Sequence, residues 1–484
     1  MAENVFRFLE ETGTRHANMA AVIDRDHRVT FGALLNASLT LRRALARHLG
    51  TERSIVGFMC SNGPDFISGL FALIGEGKVA APLAPQPRWE ESSDAANGLH
   101  MTHIVAHRDF CEHLPPTWTA ALLEGSPFVL ITRSARDSGE ASAASVDHVP
   151  NAAVIRPTSG TTGRSKGVIL SHETIAERTA AGLAALRLEP GERVCWVLPM
   201  AYHFVVSVIL YVRYAIPIAL VRDQLGESIL QTLRDAECSM LYGTPLHYSL
   251  LAQTPSSQRF PALRLPISTT SPLSPAIADR FADRFHLPVS QVYGIIELGL
   301  PLGNIGGAGF TSHSVGTPSP GFEAKIIHDT QPITRSGESG DLLLRGPGMF
   351  DGYLEPRARR SDMTSDGWFA TGDIAYYGTS GEIFIAGRKK SVIITAGNKV
   401  FPEEVEGVLD TYPGVRRCRV FGKSHDLLGE IVTAEVELDQ PETFNREEII
   451  RFCKRRMTNF KVPQELHLSR AIRTTPTGKV ARSS

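Results

Sequence analysis

Lys166 and Arg164 stand in a run of glycines and hydroxyl side chains: Thr158, Ser159, Gly160, Thr161, Thr162, Gly163, Arg164, Ser165, Lys166, Gly167. Glycine permits positive φ and lets a backbone come close to a ligand. Successive N–H groups in such a turn form a concave anion site. Hydroxyls add donors without bulk, and a lysine adds charge. Together these features describe a cradle for a polyphosphate. The spacing is not that of the P-loop hydrolases, in which Lys directly follows the second Gly and a helix comes next. Here Arg164 and Ser165 intervene, and the strand-like VIL follows. Taken alone, the run also fits a flexible Gly/Ser linker.

The elements around it alternate. IVGFM (55–59) reads as a buried strand, PDFISGLFALIGEG (64–77) as a helix ending at glycine, and VAAPLAP (79–85) as a strand closed by prolines. HIVAH (103–107) and FVLIT (128–132) are further short strands, and 136–151 reads as a surface linker rich in Ser, Ala and Asp. Such alternation predicts an α/β architecture with mostly parallel sheets. FVVSVILYVRYAIPIALV (204–221) is broken by Arg213 and Pro217, so it predicts a buried helix and strand rather than a membrane span. From about Gly387 a compact unit follows with its own strands (RRCRVFG, IVTAEVEL) and helices (PEEVEGVLD, NREEIIRFCKRRM).

Bulk properties exclude several classes. The 484 residues exceed one compact core. A formal charge of −1 gives no basic field for nucleic acid. Six scattered cysteines make no metal-ligand spacing and read as reduced thiols of a cytoplasmic protein. The N-terminus has early acidic residues and no apolar core of a signal peptide.

The run TSGTTGRSKG resembles the signature loop of the adenylate-forming superfamily, which includes acyl- and aryl-CoA synthetases, peptide-synthetase adenylation domains and luciferases. Other segments are similar to that family's motifs and keep its order: STTSPLS (268–274), YGIIE (293–297), GWFATGD (367–373), GRKKSVIITAGNKVFPEEVE (387–406) and PTGKV (476–480). The resemblance covers essentially the whole chain. It implies a large N-terminal adenylation domain, residues 1–388, of mostly parallel sheets plus a β-barrel-like subdomain. A small mobile α+β domain, 389–484, would follow and carry the catalytic lysine.

The resemblance also implies a two-step reaction. A carboxylate attacks the α-phosphorus of ATP to give an acyl-adenylate and pyrophosphate, and a thiol of CoA or of a phosphopantetheine carrier protein then takes the acyl group. Thr158, Ser159, Gly160, Thr161, Thr162 and Gly163 would hold phosphates, with Lys166 adding charge. Glu297 would hold Mg²⁺, which takes oxygen ligands. Thr270, Ser271 and Pro272 would form the adenine turn, with the Tyr293 ring stacking on adenine and Gly294 beside it. Asp373 would bind the ribose hydroxyls, supported by Arg388. Lys479 would reach the carboxylate and α-phosphate, and Lys390 marks the hinge. Tyr202, His203, Ser207, Tyr242 and Thr269 are the candidate pocket for the acid, and His203 fits a structural role nearly as well. The basic run KRRMTNFK (454–461) reads as a solvated helix face or as a contact for CoA phosphates or an acidic carrier.

This sequence departs from the family pattern. Ile296 replaces a hydroxyl residue that contacts the α-phosphate, Ser165 a proline, TTS (269–271) a Gly-Gly-Ala turn, and Ala396 a glycine beside the thiol channel. The MAYHFVVSVIL stretch lacks the Asp that anchors an α-amino group. The expected substrate is therefore a small aryl or short acyl carboxylate. The alternatives are a same-fold enzyme that forms an amide or activates nitrite to diazotise an aryl amine, and a non-catalytic nucleotide-binding relative.

Overall fold

A computed structural model of the chain describes residues 4–25, 27–83, 96–111, 114, 117–133, 146–157, 167–255, 259–306, 311, 313–395, 398–425 and 428–474. Among these residues two nine-stranded sheets form the bulk of the molecule. The first has a parallel centre in the order Ala20–Asp24, Ile218–Leu220, Val194–Trp196, Met240–Gly243, Leu265–Ser268 and Ser290–Ile295. Antiparallel strands close its edges, His27–Thr30 on one side and Gly299–Asn304 with Thr317–Pro318 on the other.

The second sheet is mixed. Its parallel strands are His103–His107, Ile55–Met59, Val79–Leu83 and Ala152–Arg156. Antiparallel partners flank them, including Phe128–Arg133 and Val168–Ser171. Every residue of Ile55–Met59 and Val79–Leu83 is buried, as continuous apolar strands in a parallel setting require.

The helix Pro64–Gly75 packs on the second sheet and against the helix Phe31–Ala46. Proline at its first turn needs no N–H partner, and Gly77 at φ +74° leaves the helix in a conformation open to glycine. Its Phe66 packs edge-on against Phe58 of the second sheet and Phe204 of the first layer. The helix Phe31–Ala46 starts at Thr30, whose hydroxyl accepts from the Ala33 N–H at 3.1 Å.

The stretch expected as one helix and a strand contains a π-helical turn, Phe204–Val208, before the helix Ile209–Arg213 and the strand Ile218–Leu220. The expected surface linker also differs. Of its described residues, Val146, His148 and Val149 are buried, and both valines join the apolar cluster under the second sheet.

A six-stranded antiparallel sheet follows, including Glu323–His328, Ser339–Arg345, Trp368–Tyr377 and Ile383–Arg388. Burial alternates along Ser339–Arg345, so one face is packed and the other is wet. From Ile393 a smaller unit has its own sheet, the helices Pro402–Leu409 and Arg446–Lys454, and a separate core that includes Val405, Val432 and Ile449. No described helix is long and apolar enough to cross a membrane, and all six cysteines are free thiols.

Candidate active site

In parallel sheets, ligands gather outside the carboxyl ends of the strands. Neighbouring strands of the first sheet carry Trp196, Tyr242, Ser268 and the Tyr293–Ile295 segment at or beside their carboxyl ends. The candidate acid pocket and the candidate nucleotide residues therefore lie along one edge.

Asp373 is the most firmly built of the candidates. It is 3% exposed, on the strand Trp368–Tyr377 directly opposite Arg388. Arg388 Nε lies 2.6 Å from its Oδ1, and the Tyr293 hydroxyl donates to Oδ2. Thr371 Oγ1 accepts from the Asp373 N–H at 3.1 Å and donates to the Leu342 carbonyl at 3.0 Å. Gly372 sits between them at φ +76°, a conformation that favours glycine. Burial, and then the Asp373 charge, pushes the Tyr293 hydroxyl well above its ordinary pKa, so it stays a donor. The ring of Tyr293 was expected to stack on adenine; its hydroxyl is tied to Asp373.

Glu297 is half-buried, and the Tyr353 hydroxyl donates to its Oε1 at 2.9 Å. Its backbone is gripped by Arg178, which sequence reasoning missed. Arg178 is 2% exposed on the helix His172–Leu186. Its guanidinium donates to the carbonyls of Ile296 at 2.8 Å, Glu297 at 3.2 Å and Gly348 at 2.6 and 3.0 Å. The preceding residue, Glu177, accepts from the Gly348 N–H at 2.9 Å. Gly348 has φ +66°, and a Cβ there would fall 2.7 Å from Arg178. Nothing in the helical sequence marks Arg178 as different from a solvated arginine. Ile296 itself is half-buried against the large core.

The turn after Leu265–Ser268 holds Thr269, buried with its N–H on the Gly243 carbonyl at 3.0 Å. Thr270 has φ +76°, Ser271 is half-buried and Pro272 is exposed. Ser268 Oγ and Thr270 Oγ1 are buried and reach no protein partner. Gly294 is held closely, since a Cβ there would meet the Gly299 carbonyl at 2.7 Å.

Of the pocket candidates, Ser207 and Tyr242 are buried, and His203 sits edge-on to Trp196 and Tyr242 at 6.0 and 6.2 Å. Tyr202 lies under the Arg156 guanidinium at 5.2 Å. Arg156 closes the strand before the glycine-rich run. Burial lowers its pKa to about 10, against the pull of Tyr202 and Glu297, and leaves it charged at neutral pH. Its place next to the run was the available signal, and it was not used.

Thr158, Ser159, Gly160, Thr161, Thr162, Gly163, Lys166 and Lys479 lie outside the described residues, as do Ser165 and Ala396. The strands that bracket the run are antiparallel neighbours, Arg156 opposite Val168. Lys390 is exposed in the 3₁₀ turn Lys389–Ser391. A groove of about 410 Å³ lined by His148, Asp351, Arg359 and Arg360 contains none of the described candidates.

A nucleotide and Mg²⁺ suit this residue set. Open hydroxyls stand at the turn after Ser268, and a carboxylate faces the sheet edge at Glu297. Among the described residues no group of three or more acidic, His or Cys side chains forms a metal cage. Mg²⁺ in nucleotide sites is held by one or two carboxylates together with waters and phosphate oxygens, and Glu297 can supply one.

Known proteins are similar to this chain over most of its length. Oxalate–CoA ligase of Arabidopsis thaliana is 28% identical over 454 residues, covering 88% of this chain and 87% of its own. 2-Succinylbenzoate–CoA ligase of Bacillus licheniformis is 29% identical over 339 residues, covering 69% of this chain and 70% of its own. The ATP-bound crystal structure of MatB from Rhodopseudomonas palustris superposes with a TM-score of 0.83 at 23% identity, over 99% of this chain and 97% of that one. The AMP-binding enzyme C-terminal domain matches residues 404–479. With the AMP-binding enzyme profile matching residues 9–354, over the very strands whose ends carry Asp373's partner Tyr293 and Glu297, the chain belongs to the AMP-binding enzyme family.

Proposed function

We propose that the chain is an AMP-forming acid–thiol ligase that adenylates a small aryl or short acyl carboxylate and passes the acyl group to CoA or a carrier-protein thiol. The observation that carries this reading is the buried Asp373 carboxylate, fixed by Arg388 and Tyr293 at the sheet edge shared by the candidate acid pocket. The CoA ligases among its relatives support the thiol as acceptor.

On this reading Asp373 accepts from the ribose hydroxyls, and Arg388 holds that carboxylate in place. Thr270, Ser271 and Pro272 border the base, with Gly294 giving it close backbone approach. Glu297, positioned by Tyr353 and Arg178, is the carboxylate that would hold Mg²⁺, which supplies charge neutralisation between two anions. Arg156 adds a half-buried cation at the root of the glycine-rich run. Lys166 and the Thr158–Gly163 run hold phosphate oxygens. Lys479 donates to the reacting oxygens and leaves when the C-terminal unit, 389–484, turns about Lys390.

The test is pyrophosphate release from ATP and Mg²⁺ with a panel of carboxylates, with and without CoA, followed by thioester analysis. Acid-dependent release with thioester formation is expected. Release that follows nitrite and an aryl amine instead, or an amine in place of CoA, would replace this reading. Lys479→Ala is expected to lower adenylate formation at least a hundredfold while ATP binding, by calorimetry, stays within about twofold. Turnover that survives this change would remove the central role of Lys479.

A further inference from the structure

Beside the nucleotide residues lies a group of buried polar side chains. Trp196 and Tyr242 stand side by side on neighbouring parallel strands, with rings parallel to within 4°. Tyr211 and His203 meet the Trp196 ring edge-on. Ser207 lies beside the hydroxyls of Tyr211 and Tyr242, and Thr269 beside that of Tyr242. Trp196, Tyr211, Tyr242 and Ser207 are each at most 1% exposed.

Despite this burial, Trp196 Nε1 meets no protein acceptor, and the Ser207 and Tyr211 hydroxyls, though adjacent, make no hydrogen bond of good geometry. Buried polar groups are nearly always satisfied, and three unsatisfied in one place require an explanation. Burial, then Tyr242, keeps the Tyr211 hydroxyl protonated, and indole N–H can only donate. The cluster is therefore rich in donors and lacks an acceptor for Trp196. A second feature singles out the same place. Ser207 sits on the π-helical turn Phe204–Val208, a widened turn that recurs at functional sites.

The cluster also has a fixed relation to the candidate nucleotide residues. Val194–Trp196 is separated from Ser290–Ile295 by the strands that end at Tyr242 and Ser268. Strand spacing puts the Trp196 strand about 14 Å from that of Tyr293. A long chain entering from that side would have to run on into the packed layer of Phe204 and Val208.

Resting on the ligase reading above, we propose that the acid carries an uncharged hydrogen-bond acceptor beyond its carboxylate, such as a hydroxyl, carbonyl or nitro group, and that Trp196, Ser207 and Tyr211 read it. An alkyl or methyl-bearing acid would leave these groups unpaired on binding. A dicarboxylate would bury its second charge among neutral groups, with only His203 able to take up a proton. Sites built to hydrogen-bond a polar substituent reject the analogue without it far more strongly than apolar sites reject a missing methylene.

The test measures kcat/KM for pyrophosphate release on matched acids: hydroxybenzoates, nitrobenzoates, methylbenzoates and phthalates, together with 4-hydroxybutyrate, valerate and glutarate. At least one hydroxy or nitro acid should exceed its methyl or dicarboxylate counterpart by tenfold or more. Tyr211→Phe and Ser207→Ala should each cut that preference severalfold, read as the ratio of kcat/KM for the polar acid to that for its methyl counterpart. Calorimetric binding of the same acids in the presence of a non-hydrolysable ATP analogue gives the ratio independently of turnover. Preference for methyl acids or dicarboxylates overturns the inference. So does a preference that survives both substitutions, which would mean that the hydroxyls serve only buried water. Absence of release and of binding with every acid would overturn the ligase reading itself, a different result from indifference within the matched sets.

Discussion

Asp373 offers two carboxylate oxygens, and each already has a neighbour: Arg388 on Oδ1 and the Tyr293 hydroxyl on Oδ2. A carboxylate oxygen accepts more than one hydrogen bond, so both contacts can persist while ribose hydroxyls add to them. Asp373→Asn replaces one acceptor oxygen with a donor and removes the charge that pairs with Arg388. Hydrogen bonds to charged groups contribute about 1.5–3 kcal/mol. ATP affinity is expected to fall roughly ten- to a hundredfold by calorimetry. An unchanged affinity would take the ribose role away from Asp373. This residue was legible because Thr371-Gly372-Asp373 is a contiguous motif whose glycine has a conformational reason, at φ +76°. The contact between Tyr293 and Asp373 was not legible. It joins strands of different sheets, 80 positions apart, and no local pattern encodes such a meeting. For the same reason Trp196 and Tyr211 escaped notice, since single aromatic residues in apolar stretches look like ordinary core.

At the scale of elements, the helix His172–Leu186 positions more than its apolar face. Its Arg178 ties the segment of Glu297 to that of Gly348, and Glu177 completes the tie through the Gly348 N–H. Arg178→Ala would leave the carbonyls of Ile296, Glu297 and Gly348 short of their buried donors. A loss of about 3 kcal/mol or more in unfolding free energy is expected. Arg178→Lys should recover only part of it, because an ammonium lacks the planar fork. A rise in KM for MgATP in Arg178→Lys at temperatures where it stays folded would mark the link to Glu297. Unaltered KM would limit Arg178 to stability.

The helix Pro245–Gln253 has a different dependence. His247 is buried, and its Nδ1 accepts from the Thr244 N–H at 3.0 Å. Burial lowers its pKa to about 4 from 6.5. Below pH 6.5 the unfolded chain takes up a proton that the folded one refuses, so stability is present above 6.5 and is lost as pH falls toward 4. The loss is about 2 kcal/mol at pH 5. Thermal unfolding at pH 7.5 and 5 should show a gap that narrows in His247→Asn, whose amide oxygen can keep the cap. A gap of equal size in the variant would assign the acid sensitivity elsewhere. Strands and helices of this kind were readable from periodicity and caps. The mixed character of the second sheet was not, because antiparallel partners such as Phe128–Arg133 carry the same apolar runs as parallel ones.

At the scale of the whole molecule, two separate cores meet at a joint where Phe401 and Glu403 lie against Gly387. The chain leaves the strand Ile383–Arg388, turns through Lys389–Ser391 and enters a unit whose core is its own. Across the joint Lys389 pairs with Asp341 at 2.8 Å, with the lysine side chain 63% exposed, and Gly387 lies against Glu403. An exposed ion pair contributes about 0–1 kcal/mol, too little to make two cores unfold as one. A domain division at residues 388 and 389, as proposed, predicts two transitions in scanning calorimetry. MgATP should act on only one of them, because the described nucleotide candidates Asp373, Tyr293 and Glu297 all belong to the larger unit. At a hundredfold excess over its dissociation constant, ligand adds about 2.7 kcal/mol to the unit that binds it. The larger unit's midpoint should rise by several degrees while the smaller unit's stays within about one degree. Raised salt should leave the two-transition pattern intact, since the joint's ion pair contributes little to begin with. A single transition that moves as a whole with MgATP would mean that the joint transmits cooperativity, and the division at Arg388 would then describe the chain's connectivity without describing two units free to turn on each other.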